Sequence, residues 1–280
     1  MLAPEIVRRA VEAHGPFVAA LYGGELEERD GFYLARNRWV DEPEWNHAGR
    51  LRLRDDDALA ATIEAARRDL AAAGRSLTLV ADPFQLPGDL EAQLKDRGWT
   101  ESFRHSGLIW PGNGLSSREV GWPAAVAFEE IQSVAGAERG LQTGALLSME
   151  AFVSVFEESF AEVAAGHLSH GYRSAFPASL RPRVGGVDVI HTLVRVEGEP
   201  AAIGSRAIGF GVAGLYNLGV APRFRRLGLG GAITLHRIAA AQAGGAEVVY
   251  LLTEDPRVEA SQLRRGFVKA FDLTGMEAPG

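Results

Sequence analysis

Residues 215–243, LYNLGVAPRFRRLGLGGAITLHRIAAAQA, constrain this chain more tightly than any other stretch. A β-branched and aromatic run ends at Val220-Ala221-Pro222, and an arginine-rich turn dense in glycine follows. Helical periodicity then begins on the glycines, with Ile233, Leu235 and Ile238 set among alanines. The first amides of a helix have no intrahelical acceptor, and its macrodipole is positive at that end, so a strand, loop and helix in this order can hold phosphate oxygens. Gly228, Gly230 and Gly231 remove the Cβ atoms that would keep a ligand off the backbone, while Arg223, Arg225 and Arg226 bring positive charge. The expected guest is a pyrophosphate-bearing cofactor. Arg225-x-x-Gly228-x-Gly230 alone is a weak pattern in a chain with 33 glycines and 27 arginines. The strand before it and the helix after it give it meaning.

Val220, Pro222, Arg225, Gly228 and Gly230 fit V-x-P followed by [RQ]-x-x-G-x-[GA]. On these residues the chain resembles the GNAT superfamily of acyl-CoA-dependent N-acyltransferases. The resemblance implies that the amides of Arg226, Gly228, Leu229, Gly230 and Gly231, beside Arg225, hold the coenzyme A pyrophosphate. It also implies that Leu218, Gly219 and Val220 lie on a strand splayed from its neighbour to pair with the pantetheine arm, the N–H near Leu218 polarising the thioester carbonyl. Acetyl-CoA as cosubstrate, no metal, and direct transfer to a small-molecule amine follow from the same resemblance.

Other segments agree. Glu247 to Thr253 is an apolar run expected as a buried strand, and Val258 to Arg265 a short helix stopped at Gly266-Phe267. Upstream, Val189 to Val196 and Ala201 to Ala207 flank a Glu197-Gly198-Glu199-Pro200 turn as a hairpin, and Ser148 to Val163 carries a helical stripe of Phe152, Val155, Phe156 and Phe160. Gly209-x-Gly211-x-x-Gly214 fits the dinucleotide fingerprint, but β-rich sequence follows it where a helix is required, so it is expected as a turn between strands.

The first half is expected as a helix over Pro4 to Ala13, strands at Gly31 to Val40 and Trp45 to Leu53, and an amphipathic helix over Asp57 to Ala73. A strand at Ser76 to Ala81, a helix at Leu90 to Arg97 and a strand over Trp99 to Trp110 complete it. LEAQLKDRGW (Leu90 to Trp99) parallels VEASQLRRGF (Val258 to Phe267), and each follows an apolar strand and an Asp-Pro step, Asp82-Pro83 and Asp255-Pro256. A tandem repeat of one fold is therefore expected. The first copy lacks R-x-x-G-x-G, and Asp55, Asp56 and Asp57 open its helix with charges that would repel phosphate. The fold class expected is α/β with an α+β mixed sheet, as two GNAT-like domains, each a mixed sheet flanked by helices. Residues 1–112 would be a degenerate copy, 113–124 a linker and 125–280 the acetyltransferase domain.

A net charge of −7 argues against nucleic acid as a partner, and no run of 18 apolar residues indicates a membrane span. A cytoplasmic location is the expectation, and a homodimer is compatible with the sequence. Zero cysteines exclude disulfides, thiolate metal sites and an acyl-cysteine intermediate. Transfer to an amine calls for a general base and a proton donor to the leaving thiolate. The resemblance puts a tyrosine donor four residues before the Gly-Phe glycine, where this chain has Gln262. Catalytic candidates are Glu254 at a strand exit and Tyr216 on the cofactor strand, with Tyr250 on the next strand. Packing of each tyrosine in the core is an equal reading. Glu157 and Glu158 read chiefly as solvated charges, Tyr172 and Phe176 as loop residues lining the acceptor pocket or covering the core, and His167 and His170 lack a third metal ligand. Two other functions remain open: a catalytically silent acyl-CoA-binding module for sensing or assembly, and a nucleotide-binding protein.

Overall fold

The computed structural model describes residues 2–112, 125–132, 143–161, 171–180 and 185–279. The first half runs α1 (Pro4–Leu21), β1 (Glu25–Arg29), β2 (Phe32–Arg36), a 3₁₀ turn (Pro43–Trp45), β3 (His47–Gly49), α2 (Asp56–Ala72), β4 (Thr78–Ala81), α3 (Leu90–Asp96) and β5 (Thr100–Trp110). The second runs β6 (Val126–Gln132), α4 (Thr143–Phe160), α5 (Tyr172–Ser179), β7 (Asp188–Val196), β8 (Glu199–Gly209), β9 (Val212–Val220), a 3₁₀ turn (Pro222–Phe224), α6 (Leu229–Ala243), β10 (Val248–Thr253), α7 (Pro256–Arg264) and β11 (Val268–Glu277). The linker expected at 113–124 lies outside the described residues, as do His167 and His170.

All eleven strands form one mixed sheet in the order β1-β2-β3-β4-β11-β5-β10-β9-β8-β7-β6. The two sheets expected for two domains thus run together, and they do so by exchanging strands. The first half's last strand, β5, lies between β10 and β11 of the second, and β11 lies between β4 and β5 of the first. The β5/β11 ladder is antiparallel and reciprocal: Phe103 faces Gly275, Gly107 faces Phe271, and His105 faces Leu273 at the centre. Each phenylalanine ring lies over the opposing glycine. A Cβ on Gly107 would fall 2.4 Å from Phe271, and one on Gly275 would fall 2.2 Å from Phe103.

The repeat also holds at the helix ends. In α3 the amides of Gly98 and Trp99 donate to Lys95 and Leu94, and in α7 those of Gly266 and Phe267 donate to Leu263 and Gln262. Gly98 (φ 83°) and Gly266 (φ 105°) take the left-handed conformation this closure requires.

Several elements differ from expectation. The first helix continues past Ala13 to Leu21 and contains Pro16, because every residue from Ala13 to Leu21 is buried. That burial outweighs the roughly 3 kcal/mol cost of an internal proline. α1 packs against β1 and β2 of one half and β7 to β10 of the other, so it forms a shared core. The strand expected over Trp45 to Leu53 shrinks to β3, since Pro43 starts a 3₁₀ turn ahead of it. Tyr172 and Phe176, expected in a loop, lie on α5, where Phe176 is fully buried and Tyr172 nearly so. The Gly209 to Gly214 segment is the tight connection of β8 to β9, with Phe210 (φ 57°) and Gly211 (φ 71°) at its turn.

Candidate active site

The site begins with a ladder that stops early. β9 and β10 pair in parallel from Val212↔Val248 to Leu215↔Leu251 and no further, although β9 continues to Val220 and β10 to Thr253. Between them opens a wedge whose strand edges are unpaired with each other. Its cause lies on the other side of β9. There Asn217 and Leu218 together oppose Gly204 alone, a bulge that bends the strand. Asn217 takes φ 55°, a left-handed conformation that asparagine tolerates better than most residues.

Two buried anchors hold this bend. Arg237, on α6 and 1% exposed, donates from Nη1 to the carbonyls of Ser205 and Tyr216, each at 2.8 Å. A Cβ on Gly204 would fall 2.6 Å from that guanidinium, so glycine is required there. Burial pushes the Arg237 pKa down to about 9, which leaves it charged at neutral pH. On the opposite face Asn217 accepts from Tyr22 Oη at 2.5 Å and donates to Ser205 Oγ at 3.1 Å, and Ser205 bonds His191 at 2.8 Å.

At the open end of β9, the turn Pro222–Phe224 leads to α6, whose N-cap is Gly228 (φ 81°). Among the described residues the amides of Gly228, Leu229 and Gly230 have no hydrogen-bond acceptor, while that of Gly231 already bonds Gly228 O at 3.0 Å. A Cβ on Gly230 would meet only Val220 at 3.8 Å, ordinary contact, so nothing in the protein itself demands glycine there. Arg226 supports the turn with φ 68°. Arg225 reaches from Nε to Val220 O (3.3 Å) and from Nη2 to Ser159 O (3.2 Å), which clasps the loop to the end of α4. Gly219 packs against the same serine: a Cβ there would fall 2.9 Å from it. Arg223 lies 3.6 Å from exposed Glu199. A cation absent from the sequence reading is Arg265, whose Nη2 lies 3.0 Å from where a Gly231 Cβ would be. Its charge adds to the helix terminus.

At the mouth of the wedge, extending the β9/β10 register by three residues sets Glu254 across from Leu218. Glu254 is exposed. It meets two residues of the first half: a carboxylate oxygen each of Glu44 and Glu254 and a ring nitrogen of His105 lie within 4.8 Å of one another. His105 Nε2 lies 3.2 Å from Glu44 Oε1. Beside them, Trp45 Nε1 donates to Glu42 at 2.7 Å and to Tyr172 Oη at 2.8 Å, and Tyr172 donates to Glu42. Burial raises the Glu42 pKa. Tyr216 lies deeper. Its hydroxyl bonds Tyr250 Oη at 2.6 Å and His14 Nδ1 at 3.2 Å, and burial holds its pKa well above the ordinary phenol value. Glu157 pairs with Arg173.

No protein-family model and no curated protein matches the chain. Solved structures do. A GCN5-related N-acetyltransferase from Kribbella flavida is 20% identical, with a TM-score of 0.63 over 100% of this chain and 97% of that one. A tandem GNAT protein from the clavulanic acid biosynthesis pathway is 17% identical, with a TM-score of 0.60 over 89% of this chain and 79% of its own. A GCN5-related N-acetyltransferase from Sphaerobacter thermophilus is 13% identical, with a TM-score of 0.53 over 89% and 78%. The chain has the GNAT fold.

Within the GNAT fold the two halves are unequal. The first half's α2 begins on Asp55, whose carboxylate accepts the Ala58 amide at 2.8 Å, so its own side chain occupies the helix terminus. In the second half Gln262, where the resemblance called for tyrosine, is 2% exposed, and its Oε1 has no partner among the described residues. A separate cavity of about 610 Å³ lies between the halves, lined by Gly23, Arg36, Arg75 and Asp188 among others. Arg75 there bonds the Asn37 and Arg38 carbonyls and pairs with Asp41. This cavity does not reach the glycine loop. No helix among the described residues is long and apolar enough to cross a membrane.

Proposed function

We propose that this chain is an acetyl-CoA-dependent N-acetyltransferase that acts on a small-molecule amine by direct transfer in a ternary complex. The carrying observation is the open wedge between β9 and β10, which ends at a helix whose first amides have no acceptor among the described residues. Unpaired strand edges suit the amide groups of a pantetheine arm, and free amides at a helix start suit a diphosphate. In this reading the amides of Gly228, Leu229 and Gly230, with Gly231 beside them, hold the diphosphate. The backbone of Leu218, Gly219 and Val220 pairs with the arm, and Arg225 and Arg226 shape the loop. The neutral amine attacks the thioester carbon, the C–S bond breaks, and the thiolate leaves. Glu254, across the wedge from Leu218, faces the reacting centre. Residues 125–280 form the catalytic unit and residues 1–112 the supporting one.

Gly230→Asp tests this. It places a carboxylate where the diphosphate sits, in space the free protein leaves open. Calorimetric titration with coenzyme A is expected to show affinity reduced more than tenfold with the thermal midpoint unchanged. Equal affinity would remove the cradle from the argument. The absence of a phenol at Gln262 supports a second reading, an acyl-CoA-binding module without turnover. Thiol release from acetyl-CoA over a panel of amines separates the two, because a sensor binds and releases nothing.

A further inference from the structure

The bulge in β9 carries one side chain, Asn217, that both halves hold, and the hydrogen bonds that reach it run in a single direction. The direction is set at the far end, where Ser179 Oγ lies 2.7 Å from the Phe176 carbonyl. A carbonyl only accepts, so Ser179 donates there and must accept from His191 Nε2 at 2.8 Å. His191 is neutral, because burial pushes its pKa down to about 3, and its one N–H is thereby assigned to Nε2. Its Nδ1 accepts from Ser205 Oγ at 2.8 Å, and Ser205 in turn accepts from Asn217 Nδ2 at 3.1 Å. Asn217 Oδ1 then faces Tyr22 Oη at 2.5 Å and takes its proton in a hydrogen bond. Burial holds the Tyr22 pKa well above the ordinary phenol value, so this donor keeps its proton. Tyr22, Ser179, His191 and Ser205 are all buried.

Tyr22 is the residue that ends α1, and the first half fixes it at two points. Its carbonyl accepts from Asn37 Nδ2 at 3.0 Å, and its ring lies 4.2 Å from that of Trp45. The other end of the chain is anchored on α5 and β7 of the second half. Asn217 is therefore clamped from both sides in its φ 55° conformation, and the peptide that follows it carries the Leu218 amide. Beyond the bulge the Ala221 amide donates to Ala201, so backbone groups alternate: Gly219 faces β8, while Leu218 and Val220 face the wedge. Resting on the acetyltransferase reading, we infer that Tyr22 is a positioning residue of the transfer centre, which locks Asn217 and so aims the Leu218 N–H at the thioester carbonyl. The direction of that N–H decides its worth. A hydrogen bond weakens steeply as it bends, and a donor stabilises developing charge on oxygen only when it is held in place beforehand. The second half supplies the donor, and the first half sets its direction.

The test uses the full chain with acetyl-CoA labelled with carbon-13 at the thioester carbonyl, read by infrared difference spectroscopy. Coenzyme A affinity by calorimetry and thiol release over a panel of amines accompany it. In the wild-type chain the bound carbonyl stretch is expected below that of free acetyl-CoA, as a hydrogen-bonded carbonyl requires. Tyr22→Phe removes one hydroxyl. It is expected to keep coenzyme A affinity, since coenzyme A has no thioester carbonyl, to return the stretch toward the free value, and to lower kcat about 10-fold or more with KM for acetyl-CoA little changed. Asn217→Gly accepts the positive φ, removes the clamp, and is expected to show the same pattern. It carries the test if the phenylalanine upsets folding. Variants that lose thermal stability but keep the wild-type stretch and kcat overturn the inference, and so does a wild-type chain whose bound carbonyl is not shifted; both leave the acetyltransferase reading in place. A wild-type chain that binds neither acetyl-CoA nor coenzyme A overturns both.

Discussion

Arg237 shows how much a single side chain can fix in this protein. It is a cation inside the second half's core, and its hydrogen bonds go to the backbone carbonyls of Ile233, Ser205 and Tyr216. Burying an ion this way costs several kcal/mol in desolvation, which the carbonyl bonds must offset. The return is positional: the two outer carbonyls flank the bulge that turns β9 away from β10. Arg237→Ala would take a donor from both and open a void beneath Gly204. We expect a loss of about 3 kcal/mol, read as a lower urea midpoint with unchanged m-value. The glycine loop was legible at this scale because its residues are contiguous. Arg237 was not, since it sits seven residues beyond Gly230 in a helix where an arginine reads as solvated surface.

Among the elements, β5 and β11 matter most, and the sequence discloses them least evenly. Trp99 to Trp110 was readable as a strand from its aromatic content, and the matching helix ends announced the repeat. Nothing local says that each final strand crosses into the other half, because strand partners are set by tertiary pairing that a linear pattern does not encode. For the same reason Glu44 and His105 could not be associated with Glu254 from sequence. β1, with the charged sequence ELEER, also lacked a signal, as edge strands often do. The reciprocal packing of Phe103 on Gly275 and Phe271 on Gly107 predicts that the centre is intolerant of any side chain. Gly107→Ala should lower stability by about 1–3 kcal/mol through overpacking, and Gly275→Ala should do the same. Thermal midpoints of the two variants, falling together, would check the equivalence.

Over the whole molecule, the histidines sealed inside each half make stability depend on acidity. Burial pushes the His47 pKa down to about 4 and that of His191 to about 3, while both return to about 6.5 when the chain unfolds. Below pH 6.5 the unfolded state therefore binds protons that the folded state refuses, and unfolding free energy falls as pH drops. Each histidine contributes a slope approaching 1.4 kcal/mol per pH unit between 6.5 and its folded value. The stability contribution is intact above pH 6.5, and equilibrium urea unfolding at a series of pH values from 7.5 to 4.5 should show the decline. A flat profile would mean that these rings are solvated in the folded chain. The glycine loop and the tandem plan could be read from local motifs and their order, whereas the shared core built on α1 emerged only once both halves were in place.

The crossing of β5 and β11 has a historical consequence. A chain joined in this way can let its halves diverge at their helix ends, the first capped by Asp55 and the second by Gly228. It cannot discard either half, because the other would lose a strand from the middle of its own sheet.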